Sequence, residues 1–290
     1  MTNSEYIVEG GLSSKEKREV WDAAIGLQAV DGLKVSQYLR DKSEEHINDK
    51  LSIFEVEQLV KSYYERREAR IEFDENTEEA DKVSVNIAKI LAEKAFSFSV
   101  PGFLSTHKRI FDGVLPFAGQ LRDYNITKKE WVLDGDTVLY TADAILRPTL
   151  EYDLNVERNF DYSSLRNPSE IVSHLTRFVA SLWQIHPFGE GNTRTTAIFT
   201  IQYLRTLGFK VDNELFKENS WYFRNALVRA NYQNLEKGVT RKEIYLQHFF
   251  ENLLYGANHH LSNRLLHIRC KSNVKSINLS EPKTSKGLKL

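Results

Sequence analysis

Along the 290 residues, apolar positions recur mainly at three- and four-residue spacing, the period of a helix with one buried face. Ser13 with Glu16 three positions on forms a capping box, Val20, Ala24 and Leu27 follow on one face, and Asp31-Gly32 closes this first helix. A second short helix is predicted over about 34–45 and a third over about 52–70, the latter with Ile53, Val56, Leu59, Val60 and Tyr63 as its stripe. The acidic run from Glu72 to Asp81 is poor in apolar residues and is the predicted boundary between a small N-terminal module and the main domain. Further helices are predicted near 82–97, 102–112, 140–158, 168–185, 193–207, 220–233 and 241–255. Leu175, Phe178, Leu182 and Ile185 supply the stripe of the 168–185 helix, Gly208 suits a C-terminal cap, and Thr240 with Glu243 reads as a second capping box. One segment reads differently. In Trp131–Tyr140, Asp134-Gly135 stands between two β-prone runs, which predicts a β-hairpin. The expected fold is mainly α, a helical core with one β-hairpin flap and a small N-terminal helical module.

Composition narrows the function classes. Lys and Arg number 39 against 40 Asp and Glu, a net charge of −1, which disfavours a globally basic nucleic-acid binder and an acidic disordered chain. A single cysteine, Cys270, excludes an internal disulfide scaffold and fits a reducing compartment. No apolar run has the length of a membrane span, and the opening MTNSEYIVEGG lacks a basic-then-apolar leader pattern, so a cytoplasmic protein without membrane contact is expected. The charge is unevenly spread: residues 1–68 carry 10 basic and 14 acidic side chains, whereas 261–290 carry 7 basic and 1 acidic. The expected organisation is a helical module at 1–70, a main domain at 82–256 and a solvated basic tail at 261–290.

The chemistry concentrates in one corner. His186-Pro187-Phe188-Gly189-Glu190-Gly191-Asn192-Thr193-Arg194 falls between two strongly periodic helices. Gly189 and Gly191 let the chain turn, so that backbone N–H groups at the start of the second helix point outward, where its dipole also favours an anion. Phosphate is the natural occupant. His186 is then a candidate general base, Glu190 a candidate Mg²⁺ ligand, and Asn192 an N-cap within reach of a phosphate, while Phe188 reads as core packing. Arg194 is the most telling residue, because a cation in a first helical turn opposes the dipole unless it has a positional task. No P-loop, HExxH, Cys–His metal spacing or nucleophile elbow competes with this site.

This nonapeptide resembles the signature of Fic (Fido) domains, His-x-Phe-x-Asp/Glu-Gly-Asn-Gly-Arg-x-x-Arg. His107–Phe111, Phe117–Arg122 and Asn125–Thr127 resemble the stretch before the family's flap, and 131–140 resembles the flap itself; the resemblance covers about 85–255. It implies transfer of AMP from ATP to a Ser, Thr or Tyr hydroxyl of a target protein, with His186 deprotonating the hydroxyl and Phe188 anchoring the loop. It further implies Mg²⁺ on Glu190 and nucleotide phosphates on Gly189, Gly191, Asn192, Thr193 and Arg194. Trp131, Val132 and Leu133 would align the target, and Tyr222, with Trp221 and Asn225, lies where such domains contact adenosine. Two positions depart from the pattern: Thr193 replaces a glycine and Ala197 the second arginine. Thr193 keeps phosphate transfer open as an alternative, and Ala197 keeps open a nucleotide-binding regulatory protein without catalysis. Residues 13–68 resemble, more weakly, the small antitoxins that clamp Fic toxins, with Asp31 and Gly32 where those carry an inhibitory glutamate and its neighbour. Because Leu27 replaces a hydroxyl residue, Asp31 is a methylene shorter than glutamate and the arginine is Ala197, the inhibitory contact is expected to be weakened or absent. ATP and a hydroxyl-bearing protein are the expected partners, a second copy of the chain stays open, and nucleic acid is not expected.

Overall fold

The stripes predicted for the first and last thirds of the chain meet in one continuous apolar core, from Val20 to Leu266. A computed structural model describes residues 11–65, 75–211 and 214–269. Its helices are α1 (Ser14–Gly26), α2 (Gln37–Ile47), α3 (Ile53–Glu65), α4 (Glu75–Ala92), α5 (Val100–Ile110) and α6 (Leu146–Arg158). They are followed by α7 (Pro168–Ile185), α8 (Asn192–Thr206), α9 (Glu214–Asn231), α10 (Ile244–Tyr255) and α11 (Asn263–Leu266). Residues 1–10, 66–74 with the start of the acidic run, 212–213 and the basic tail from Cys270 onward lie outside the described residues.

Local signals set most of these boundaries. Ser13 and Glu16 cap α1 reciprocally, as the capping box requires. Asn167 caps α7, with Pro168 at its first position. The acidic run is less of a boundary than its composition suggests, since α4 begins inside it and its last residue, Asp81, is fully buried. Asp81 accepts the Ser36 backbone N–H at 2.8 Å and the Tyr64 hydroxyl at 2.7 Å, and also the Ser36 hydroxyl, which ties α2 and α3 to α4.

Helix α1 lies between α4 and α9. Its approach to α9 needs a glycine: a Cβ on Gly26 would sit 2.3 Å from the Lys217 Cα. The Ser220 hydroxyl, from α9, then donates to the Gly26 carbonyl at 2.7 Å. The N-terminal helices therefore share the core of the main domain. Helix α8 is buried from Asn192 to Leu204, enclosed by α4, α5, α7 and the 3₁₀ turn Leu27–Asp31. Its charged first turn is thus placed inside the protein, against the N-terminal segment.

Three expectations need correction. The 131–140 segment forms no hairpin ladder: Trp131–Leu133 is a 3₁₀ turn, and no strand occurs among the described residues. The turn chemistry itself is present, with Asp134 and Gly135 both at positive φ (59° and 85°). Burial overrides pairing, because Val132 and Leu133 are consecutive core residues, which a strand alternating between two faces cannot supply. Thr240 and Glu243 form no capping box; α10 starts at Ile244, with no side chain capping it. The 140–158 helix begins only at Leu146, after a 3₁₀ turn at Asp143–Ile145.

Replacing Gly26 by alanine forces two backbones apart, so Gly26→Ala is expected to cost about 1–3 kcal/mol, as overpacked cores do. Thermal unfolding measures it. An unchanged melting temperature would show that α1 and α9 do not approach this closely.

Candidate active site

The corner between α7 and α8 is built around two left-handed residues. His186 ends α7 at φ 50°, ψ 56°, a region a side-chain-bearing residue occupies only under constraint. Arg122 supplies that constraint. Its Nε donates to the His186 carbonyl at 2.8 Å, its backbone N–H to the Pro187 carbonyl at 2.9 Å, and its other nitrogens to the carbonyls of Tyr124 (2.6 Å) and Thr141. Gly191, at φ 74°, starts α8; a Cβ there would lie 2.2 Å from the Phe111 ring, so no larger residue fits.

Between them, Asn192 folds its amide back onto the loop, accepting the Phe188 N–H at 3.0 Å and donating to the Phe188 carbonyl at 2.8 Å. Phe188 is fully buried and stacks on His107 at 3.7 Å. His107 Nδ1 accepts the Gly119 N–H at 2.8 Å, so its proton is on Nε2, which donates to the Glu190 carbonyl at 3.1 Å. Burial pushes His107 down to about 4, which keeps this bridge neutral.

His186 is buried beneath Tyr140, whose ring lies 4.1 Å away. Its Nδ1 faces the Trp183 carbonyl at 3.3 Å; a carbonyl only accepts, so Nδ1 carries the proton and Nε2 keeps its lone pair. Burial pushes the imidazole down to about 3, so it is uncharged at neutral pH. Tyr140 in turn reaches Glu130 at 3.3 Å, and Glu130 pairs with Arg224 at 2.7 Å inside the protein. Burial pushes the Glu130 carboxyl up, and Arg224 opposes that shift.

Arg194 has no solvent exposure. Its Nη1 donates to Gln28 at 3.0 Å and its Nη2 to Glu79 at 2.8 Å, its Nε lies 3.1 Å from Asp31, and its guanidinium covers the Phe111 ring at 4.8 Å. Lys128 stands 3.6 Å from Asp31 on the outer side. Asp31 therefore does meet an arginine of the motif, though Arg194 rather than the second arginine, whose position Ala197 fills as a fully buried core residue. Gly32 follows in the left-handed region at φ 74° and ends the turn that presents Gln28 and Asp31. Glu190 is exposed at the rim, 3.8 Å from Arg194; partial burial and then Glu79 push its carboxyl up.

The other predicted residues divide. The Thr193 hydroxyl accepts Trp183 Nε1 at 3.0 Å, pointing inward and away from the loop's open side. A Cβ on Gly189 would sit 2.6 Å from the Tyr124 hydroxyl. Val132 and Leu133 are core residues, and of that trio only Trp131 is exposed. Tyr222 is buried between α9 and α10 with its hydroxyl donating to the Tyr245 carbonyl at 3.1 Å, a packing position.

Residues 97–204 match the model of the Fic/DOC family. The matched segment holds the whole corner from His107 to Arg194, whereas Gln28, Asp31 and Glu79 come from outside it. Two solved structures are similar at low identity. The N-terminal Fic domain of a VirB-translocated effector protein of Bartonella sp. AR 15-3 is 16% identical, over 64% of this chain and 86% of that one, at a TM-score of 0.49. The N-terminal Fic domain of Bep8 from Bartonella sp. 1-1C is 18% identical, over 60% of this chain and 80% of that one, at a TM-score of 0.44. No curated protein matches. Among the described residues, no helix is long and apolar enough to cross a membrane.

Sequence reasoning missed Gln28, Glu79 and the Glu130–Arg224 pair. Gln28 carried one signal, a polar side chain beside Leu27 within an apolar helical face. Removing Asp31 and Glu79 together (Asp31→Ala with Glu79→Ala) leaves a buried guanidinium without its counter-charges, a loss of about 3–5 kcal/mol where the site stays shut. Inorganic pyrophosphate is expected to raise the melting temperature of this double variant and to leave that of the natural chain unchanged. Equal stabilisation of both would mean that Arg194 is not what the carboxylates withhold.

Proposed function

We propose that the protein transfers AMP from ATP to a hydroxyl side chain of a target protein, and that the described arrangement is its closed form. One observation carries the reading: a neutral His186 with a free Nε2 and the phosphate-suited Arg194 lie on one corner, whose turns are fixed by Arg122, His107 and Asn192. Transfer of this kind depends on positioning and charge neutralisation more than on a protein nucleophile.

His186 Nε2 takes the hydroxyl proton as the oxygen attacks the α-phosphorus, and pyrophosphate departs as the bond to the β-phosphate breaks. The unpaired N–H groups of the first turn of α8 face phosphate oxygens, and Arg194 holds their charge once its carboxylates give way. The residues suit a hard divalent cation. Glu190, Asp31 and Glu79 crowd three carboxylates around one guanidinium, and the buried Asp31 Oδ2 has no hydrogen-bond donor. Glu190, at the rim, is the residue that would hold Mg²⁺ with the nucleotide, and the ion would neutralise phosphate charge there.

Thr193 does not favour phosphate transfer over AMP transfer, because its hydroxyl is turned in to Trp183 and does not close the loop. The reading without catalysis rests on Arg194 being wholly engaged by Gln28, Asp31 and Glu79. The N-terminal segment acts on this reading as a built-in clamp.

ATP labelled at the α- or γ-phosphate separates the readings. Label from the α-position on protein is expected; γ-label, or binding without transfer, would overturn it. Asp31→Ala alone leaves Glu79 and Gln28 in place and should change transfer less than about threefold, since tenfold corresponds to about 1.36 kcal/mol. His186→Ala should lower transfer by about 10²–10⁴-fold at unchanged nucleotide affinity. An imidazole depressed to about 3 should show no NMR titration between about pH 5 and 8, whereas one near its ordinary value would titrate there. Glu190→Ala should weaken Mg²⁺–ATP binding with little change in melting temperature; equal loss in Mg²⁺-free buffer would leave Glu190 only a structural part.

A further inference from the structure

The last turns of α10 and the loop after it bring together a second set of side chains with ligand chemistry. His248 and Glu251 are three residues apart on α10 and so share a face. Gly256, left-handed at φ 64°, ends the helix and turns the chain back. Asn252 then fixes the returning strand of chain from both sides, accepting the His259 N–H at 2.9 Å and donating to the His259 carbonyl at 2.9 Å. His259 is thereby laid over His248, with ring centroids 4.2 Å apart and planes 8° from parallel, and its Nε2 lies 2.6 Å from a Glu251 oxygen. One donor atom from each of the three falls within 4.8 Å of the others.

We propose that His248, Glu251 and His259 bind a divalent first-row transition ion such as Zn²⁺. Two imidazoles and one carboxylate are the ligands such an ion takes, whereas Mg²⁺ and Ca²⁺ prefer oxygen alone. An ion with bonds of about 2.0–2.2 Å in a tetrahedral shell sets its ligand atoms about 3.3 Å apart, so the His259–Glu251 pair at 2.6 Å opens slightly, a pair near 4.8 Å closes by roughly 1.5 Å, and the stacked imidazoles tilt toward the ion. All three side chains are half-buried, which leaves the remaining position to water. Binding replaces the His259–Glu251 hydrogen bond. Asn252 holds the backbone of His259 in place for the ion, as outer groups do in metal sites.

The site also has a structural reach. The loop it would clamp leads into α11, where Asn263 accepts from Asn225 at 2.7 Å and the Leu265 carbonyl accepts from Tyr245 at 3.0 Å. Beyond α11, the Ile268 N–H donates to the Val132 carbonyl at 3.0 Å. A bound ion therefore fastens the segment that backs the 131–133 turn.

The test is a titration of the full chain, stripped of metal by chelator and dialysed, with Co²⁺ read by its visible absorption and with Zn²⁺ read by calorimetry. One equivalent is expected, with a tetrahedral Co²⁺ spectrum that Zn²⁺ abolishes and excess Mg²⁺ does not. His248→Ala, Glu251→Gln and His259→Ala should each weaken binding at least about tenfold, whereas His260→Ala, one residue along the exposed loop, should not. Melting temperatures taken without metal check that each variant is folded, and Zn²⁺ should raise those of the natural chain and of His260→Ala more than those of the three ligand variants. Absence of saturable uptake, or uptake that survives both His248→Ala and His259→Ala, would overturn the assignment.

Discussion

A guanidinium with no access to water must find its counter-charges inside the protein, and Arg194 finds them far away in the chain. Gln28 and Asp31 come from the 3₁₀ turn after α1, Glu79 from the second turn of α4, and the Phe111 ring from the end of α5. The same contacts resolve an electrostatic conflict within α8. A cation in the first turn opposes the helix dipole, while the carboxylates of Asp31 and Glu79 sit where that dipole favours negative charge. The docking of the N-terminal helices and the conformation of the motif corner are thus one problem with one solution.

The corner itself is held mainly through carbonyl oxygens. A left-handed His186 and a left-handed Gly191 leave the chain between them without helical hydrogen bonds, and buried backbone groups need partners. Arg122 takes the carbonyls of His186 and Pro187, His107 that of Glu190, and Asn192 that of Phe188. They act by fixing where His186 stands. Phe188, stacked between His107 and the core, anchors the loop from beneath.

Where structure follows from local chemistry, the residues announce it. The α7 boundaries follow from Asn167-Pro168 at one end and the glycine-rich turn at the other, and α1 from its capping box. The 131–140 segment shows the limit. Asp134-Gly135 makes the tight turn its residues favour, but Val132, Leu133, Val138 and Tyr140 are all drawn into the core and Glu130 turns in to Arg224. Turn propensity is local, whereas the competition between a ladder and burial is decided by partners on α9 that no window of sequence contains. The clamp on Arg194 escaped notice for the same reason. Its three partners are polar side chains of unremarkable local context, and only the packing of α1 against α4 and α9 aims two of them at α8.

Exposing Arg194 need not mean undocking the N-terminal helices. Helix α1 is fixed by the Gly26 approach to Lys217, by Ser220 and by Trp21, whose indole donates to His46 at 2.9 Å. Gln28 belongs with that fixed part, since its amide also donates to the Ala24 carbonyl at 2.9 Å. Asp31 and Glu79 do not. Their side chains keep 16% and 21% of their exposure, and Asp31 is tied outward to Lys128. The two anions at the rim are therefore the ones that can exchange while the neutral amide stays. A polyphosphate entering there brings negative charge to replace the charge it displaces, so the guanidinium is never left buried and unpaired. On the proposed reading, carboxylate oxygens stand where an incoming phosphate would put its own, and opening would be the exchange of one set of oxygens for the other.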